Sequence, residues 1–375
     1  LTLSGSNALL GGVTLNGGSL LLNNNGALGS GTFTLLGGTI GVVNASGVTA
    51  SWNMAQNWQS DFIFRSAFNL SMGTGAITLA GTSRVIDVGA SQLTLGGAIG
   101  DGGAGYGLTK SGTGTLVLAG SSTYEGATLI NAGIVNLQNS LALGGTLAGT
   151  TVGSGAALQL QGGINVGNEA LTVSGTGATG QAGVVVNLSG TNTFGGALSL
   201  GANSNFFVAA NSSLAFTNAA AITGSNTNLV VSATGSISFA GGLDLGSGNL
   251  TKTGGGTLTL GGAGAYTGTT SVTGGVVIIT SNSALGSDAG GTTVSGSGVR
   301  LDFQNVNYTT AEQLTLLSGG GIGTSTGTSS FAGLISMTTA VIPVDGTQLT
   351  LGGTISGGTT SSAITLSKTG LGRLV

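Results

Sequence analysis

Short runs of alternating apolar and polar residues recur along the whole chain. Residues 115–118 read Thr-Leu-Val-Leu, so Leu116 and Leu118 face one side while Thr115 and Val117 face the other. That is the period-2 signature of a half-buried strand. Residues 127–130 (Ala-Thr-Leu-Ile) and 134–137 (Ile-Val-Asn-Leu) are runs of the same length, separated from their neighbours by Gly and Asn. No stretch carries a useful 3.6-residue amphipathic pattern, and no apolar run approaches the roughly 18 residues of a membrane helix. Strands this short, at spacings of about 8 to 12 residues, fit either an antiparallel sandwich or a solenoid.

An internal repeat decides between them. Residues 108–120 read LTKSGTGTLVLAG and residues 250–262 read LTKTGGGTLTLGG. The match runs without a gap to Gly144 and Gly286, with 17 identities in 37 positions at a constant offset of 142. A third copy opens at Leu366, 116 residues after the second, and a fourth is under way at Leu1, in step with Leu258. The three lysines of the chain, Lys110, Lys252 and Lys368, occupy one motif position. Residues 85–99 and 341–355 form a weaker echo. A sandwich has no reason to reuse a motif in this way, whereas stacked coils do. The expected organisation is a β-helical stretch over 1–107 that begins mid-repeat and holds aromatic-rich coils at 52–68. A unit over 108–249 opens with the motif 108–144, a unit over 250–365 opens with the motif 250–286, and 366–375 starts the next. Leu1 and Leu374 fall on the same motif position, so the sequence reads as an excerpt of a longer array, or as a subunit continued in register by the next.

Composition supports stacking. Of 375 residues 77 are Gly, one is Pro, and only 17 are charged. Like charges stacked at about 4.8 Å repel by about 0.9 kcal/mol in water and more in a lower dielectric, so a ladder favours Thr, Ser and Asn on its outer face. Inward positions take Leu, Val and Ile, and Gly serves the corners. The apolar content is too high for disorder, and Gly lacks the three-residue period of collagen. The expected fold is all-β: a single-stranded parallel β-helix (β-solenoid) of roughly 19 coils, each about 20 residues long.

The sequence Leu-Thr-Lys-x-Gly-x-Gly-Thr-Leu-x-Leu, then Tyr-x-Gly-x-Thr, then Gly-x-Val and Ala-Leu-Gly resembles the passenger-associated strand repeat of bacterial autotransporters. It covers 108–144 and 250–286, with partial copies at 1–29 and 366–375. The resemblance implies a right-handed β-helix displayed on, or released from, the outer membrane of a Gram-negative-type cell.

With neither His nor Cys, the usual general base, disulfides and most zinc sites are excluded. Net charge is −3 and the seven cations are scattered, so nucleic acid is not a partner. No Gly-x4-Gly-Lys-Ser/Thr loop occurs, and residues 101–106 (Asp-Gly-Gly-Ala-Gly-Tyr) lack the ordered acids of a calcium-binding nonapeptide. With ten carboxylates spread over the chain, the places left for a hard-cation cage are near Asp61, Asp87 or Asp101. No carboxylate pair stands out for glycoside chemistry. No catalytic residue, metal ligand or cofactor is therefore expected, and the chain is read as a non-enzyme. The densest cluster of large side chains, Trp52, Trp58, Phe62, Phe64 and Arg65, is either local core or a contact patch, since Trp and Arg are common anchors. The lysine ladder is expected to point outward as a solubilising charge. The functional expectation is an extracellular structural protein: a stiff stalk, coat or filament component that self-associates end to end or laterally. The alternative is an adhesin for surface polysaccharide or other cells.

Overall fold

A computed structural model describes residues 1–49, 53–357 and 364–375. Among them every regular element is a β-strand, mostly two to five residues long. No helix is long and apolar enough to cross a membrane, a statement that leaves β-barrels aside. Every described strand pairing is parallel and joins a strand to its counterpart one coil on, for example Leu108 to Thr128 and Leu250 to Thr270. The chain is thus a parallel β-solenoid, as its alternating runs and repeated block predict. It makes about 17 turns rather than 19. The difference arises because coil length is not fixed at 20: Thr2 pairs with Leu21, a step of 19, whereas Thr339 pairs with Thr365, a step of 26.

The chain divides into two compact units, Leu1–Val186 and Asn187–Val375. In the first, one column of stacked strands runs through Ser19–Leu22, Thr39–Val42, Phe62–Phe64, Arg84–Val88, Leu108–Ser111 and Thr128–Ile130. A second holds Leu70–Ser71, Gln92–Leu95, Thr115–Leu118, Gly133–Leu137 and Ala156–Gln161. A third, Val13–Leu15, Phe33–Leu35, Gln56–Trp58 and Ile77–Leu79, closes the coil. Leu116 and Leu118 lie inside at 0% and 1% exposure as the alternation predicts, whereas Val117, expected on the opposite face, is also buried at 3%.

The second unit repeats the scheme. Leu229–Ala233, Leu250–Thr253, Thr270–Val272, Thr292–Ser295 and Leu314–Leu317 stack in one column. Thr191–Phe194, Ser213–Phe216, Ser236–Phe239, Thr257–Leu260 and Val276–Ile279 form another. Register places like on like, so Phe194, Phe216 and Phe239 occupy one inward position in three successive coils. Their ring centroids are 6.0 and 5.6 Å apart, within the range of favourable aromatic pairs.

Candidate functional site

The repeated motif builds two kinds of buried polar joint, and each occurs once in each unit. The first is made by lysine. Lys110 follows Leu108 by two residues, so strand alternation sends both side chains inward, and Lys110 is 1% exposed; Lys252 is 0% exposed. This overturns the outward, solubilising role expected for the ladder at Lys110 and Lys252. The amine finds its partners inside, where the chain turns out of the strand and leaves carbonyls unpaired. Lys110 Nζ donates to the carbonyls of Ser111 (2.7 Å), Gly112 (2.6 Å) and Ala132 in the next coil (3.0 Å). Lys252 Nζ does the same with Thr253 (2.8 Å), Gly254 (2.7 Å) and Gly274 (3.1 Å). Lys368, which is exposed, keeps the two local bonds, to Thr369 and Gly370. Burial pulls Lys110 and Lys252 down to about 8, yet three carbonyls match the three N–H bonds of an ammonium, which is therefore the form held at neutral pH. Buried Arg84 works similarly, donating from Nε to the Trp58 carbonyl (3.0 Å) and from a terminal nitrogen to Ala80.

The second joint sets a tyrosine–threonine hydrogen bond in one coil beside a threonine–glutamate hydrogen bond that joins the next two. Tyr124 is fully buried and shares a hydrogen bond of 2.6 Å with Thr128, whose strand neighbour one coil on is Thr150; the Thr150 hydroxyl donates to Glu169 Oε1 (2.7 Å). The second unit has Tyr266 on Thr270 (2.5 Å), Thr292 in register with Thr270, and Thr292 on Glu312 Oε1. Tyr308 completes this copy with a hydrogen bond of 3.1 Å between its hydroxyl and Glu312 Oε2. In the first unit the residue 142 positions earlier is Val166, and Glu169 Oε2 has no partner. Both glutamates are buried, at 3% and 1% exposure, and burial raises both carboxyl groups, Glu312 to about 7. The phenols are also pushed upward, by burial and by the neighbouring carboxyl groups.

Sequence reasoning missed the glutamates. Two of the three in the chain lie 143 residues apart, one off the repeat offset, and outside the 37-residue block. Thr150 and Thr292 keep the 142 offset and could have led to them. These groups are enclosed, so they act on the neighbouring coil and not on a dissolved molecule.

Of the five residues in the candidate contact patch, Trp52 lies outside the described residues. Trp58, Phe62 and Phe64 are 0%, 2% and 0% exposed and face the core, with Trp58 and Phe62 in an edge contact at 4.9 Å. Arg65 reaches solvent and sits 3.6 Å from Asp87. Asp87 also lines an open groove of about 550 Å³ that crosses five coils, together with Ser19, Thr39, Asp61, Ile63 and Ser111. Asp61 is occupied in holding the Val85 amide (2.8 Å), and Asp101 closes its own loop by accepting from the amides of Gly103 and Tyr106. Among the described residues no three carboxylates gather into a metal cage.

The family described as Passenger-associated-transport-repeat matches residues 108–137 and 250–279. Among curated proteins, Adhesin BmaC autotransporter of Brucella suis biovar 1 (strain 1330) is 31% identical over 211 residues, which is 56% of this chain. The chain spans only 5% of the length of that relative. No solved structure gives a significant match. The two segments that match this repeat, residues 108–137 and 250–279, are thus each folded as two stacked coils of a β-solenoid pinned together by one buried lysine.

Proposed function

We propose that this chain is part of the surface-displayed, extracellular region of an autotransporter-type protein, where it serves as a β-solenoid stalk. The observation that carries the reading is the passenger repeat itself, present twice and folded the same way each time, down to the lysine clamp. A stalk needs stiffness and persistence outside the cell. Here stiffness comes from backbone ladders that run from coil to coil. With so few cations, three of them buried (Arg84, Lys110 and Lys252), trypsin-like proteases also have little to cut. No catalytic step belongs to this reading. The test is an epitope placed beside Leu147, which is 81% exposed, in the full-length protein. The epitope is flanked by an inserted protease site: antibody should label intact cells and the matching protease should remove the label; labelling only after lysis would refute surface display.

A second reading is adhesion, favoured by the name of the relative and by exposed Arg65, which pairs with Asp87 of the groove lining. In it, Arg65 and the groove meet a surface polysaccharide or another cell, or a second copy of the chain. Arg65→Ala should then lower cell or glycan binding several-fold with unchanged stability. Unchanged binding would leave the stalk reading alone.

A further inference from the structure

The two glutamate joints are unusual because nothing positive faces them. The titratable groups that bear on Glu312 are Tyr266 and Tyr308, and the one that bears on Glu169 is Tyr124. Among the described residues neither glutamate forms an ion pair or a hydrogen bond with a lysine, an arginine or a second carboxylate. A buried carboxylate without a cation is costly, and it is costlier still where one oxygen lacks a donor, as at Glu169 Oε2. A neutral carboxylic acid avoids that cost. It keeps Oε1 for the threonine donor, Thr150 or Thr292, and needs no counter-charge. At Glu312 the acid proton sits on Oε2, and the contact with the Tyr308 hydroxyl runs from the acid to the phenol oxygen. In each unit the carboxyl group is bonded by the threonine hydroxyl of the preceding coil, Thr150 to Glu169 and Thr292 to Glu312, and so links two successive coils.

We propose that Glu169 and Glu312 are carried in the folded chain as uncharged carboxylic acids, and that losing the proton as pH rises loosens the coils they join, making each joint a proton-operated latch. This holds wherever the protein resides and does not depend on the stalk reading. The sign follows from linkage: a carboxyl group whose folded value is raised binds its proton more tightly folded than unfolded. The stabilisation is fully present below its ordinary value of 4.5 and is lost as pH rises through about 7 at Glu312.

The test uses hydrogen exchange on the whole 375-residue chain at pH 5 and pH 8, corrected for intrinsic exchange. The amides of Thr292 and Leu314, which donate to Gln313 and Leu334, report the Glu312 joint. Their protection should fall on the order of 100-fold between the two pH values. Glu312→Gln, a neutral mimic of the acid, should keep its protection at pH 8. Adding a donor with Val166→Tyr should move the loss at the Glu169 joint to lower pH, and removing one with Tyr308→Phe should move the loss at Glu312 to higher pH. Infrared spectra at pH 5 should show a protonated-carboxyl band that weakens in Glu169→Gln and in Glu312→Gln. Protection independent of pH, the same pH dependence in Glu312→Gln, or an acid band untouched by either substitution would overturn the latch. Should Glu312→Gln not fold, the titration of the wild-type acid band and its shift in Tyr308→Phe decide the matter.

Discussion

At the scale of single residues, the motif uses its few charges as internal fasteners. Lys252 satisfies three carbonyls, one of them in the next coil, so its removal leaves buried acceptors with no donor. Lys252→Met keeps the aliphatic stem and deletes only those bonds. It should cost about 3 kcal/mol, read by chemical denaturation or by exchange of the Gly274 loop. The glycine at the same turn is fixed by geometry. Gly254 has φ of +74°, and a Cβ there would lie 2.5 Å from the Ala233 carbonyl; Gly112 has φ of +73° and would meet the Val88 carbonyl at 2.2 Å. Gly254→Ala should therefore destabilise by about 2 kcal/mol, through strain and a lost amine site together. The lysine's burial was legible in principle, because its parity matches that of Leu108 and Leu250. The prior that lysine is solvated outweighed that parity. Only the unpaired carbonyls of the turn, invisible in sequence, reverse it.

At the scale of strands and coils, stacking in register turns one inward position into a ladder. Strand existence was legible from alternation, since Leu and Val at every second place have no other use in a chain without helix patterning. Pairing was legible through the repeat. Coil length was not, because loops such as residues 138–149 extend a coil without changing the strands around it. The aromatic segment shows the same limit. Trp58, Phe62 and Phe64 read from sequence as core ahead of anchor, with both readings open, and strand parity places all three in the interior. The phenylalanine ladder gives a clean test of such stacking. Phe216 sits between Phe194 and Phe239 and also meets Phe206, with centroids 5.6 Å apart. Phe216→Ala opens a cavity that rigid ladders on both sides cannot close. It should cost about 3–5 kcal/mol, with loss of protection in Thr191–Phe194 and Ser236–Phe239.

At the scale of the whole molecule, each coil touches mainly the coils before and after it, since every described pairing is to the next coil or the last. Stability in such a chain is a sum of local terms and neighbour terms, and damage spreads only as far as neighbour coupling carries it. A globular protein of this length, with one core, would instead pass a core defect to most of its amides. The two cases separate in a single measurement on Lys252→Met. Exchange should quicken in Leu229–Ala233, Leu250–Thr253, Thr270–Val272 and Thr292–Ser295, and stay unchanged in the strands of Leu1–Val186. Lys110→Met should give the mirror result, quickening Leu108–Ser111 and Thr128–Ile130 and sparing the strands around Lys252. Denaturation of either variant should broaden or split into steps rather than shift as one transition, because the two-state assumption fails when distant coils open independently. A uniform rise in exchange throughout the chain would mean that the coils form one cooperative body. The buried clamps would then be redundant with the backbone ladder, and the repeat would owe its lysine to something other than holding neighbouring coils together.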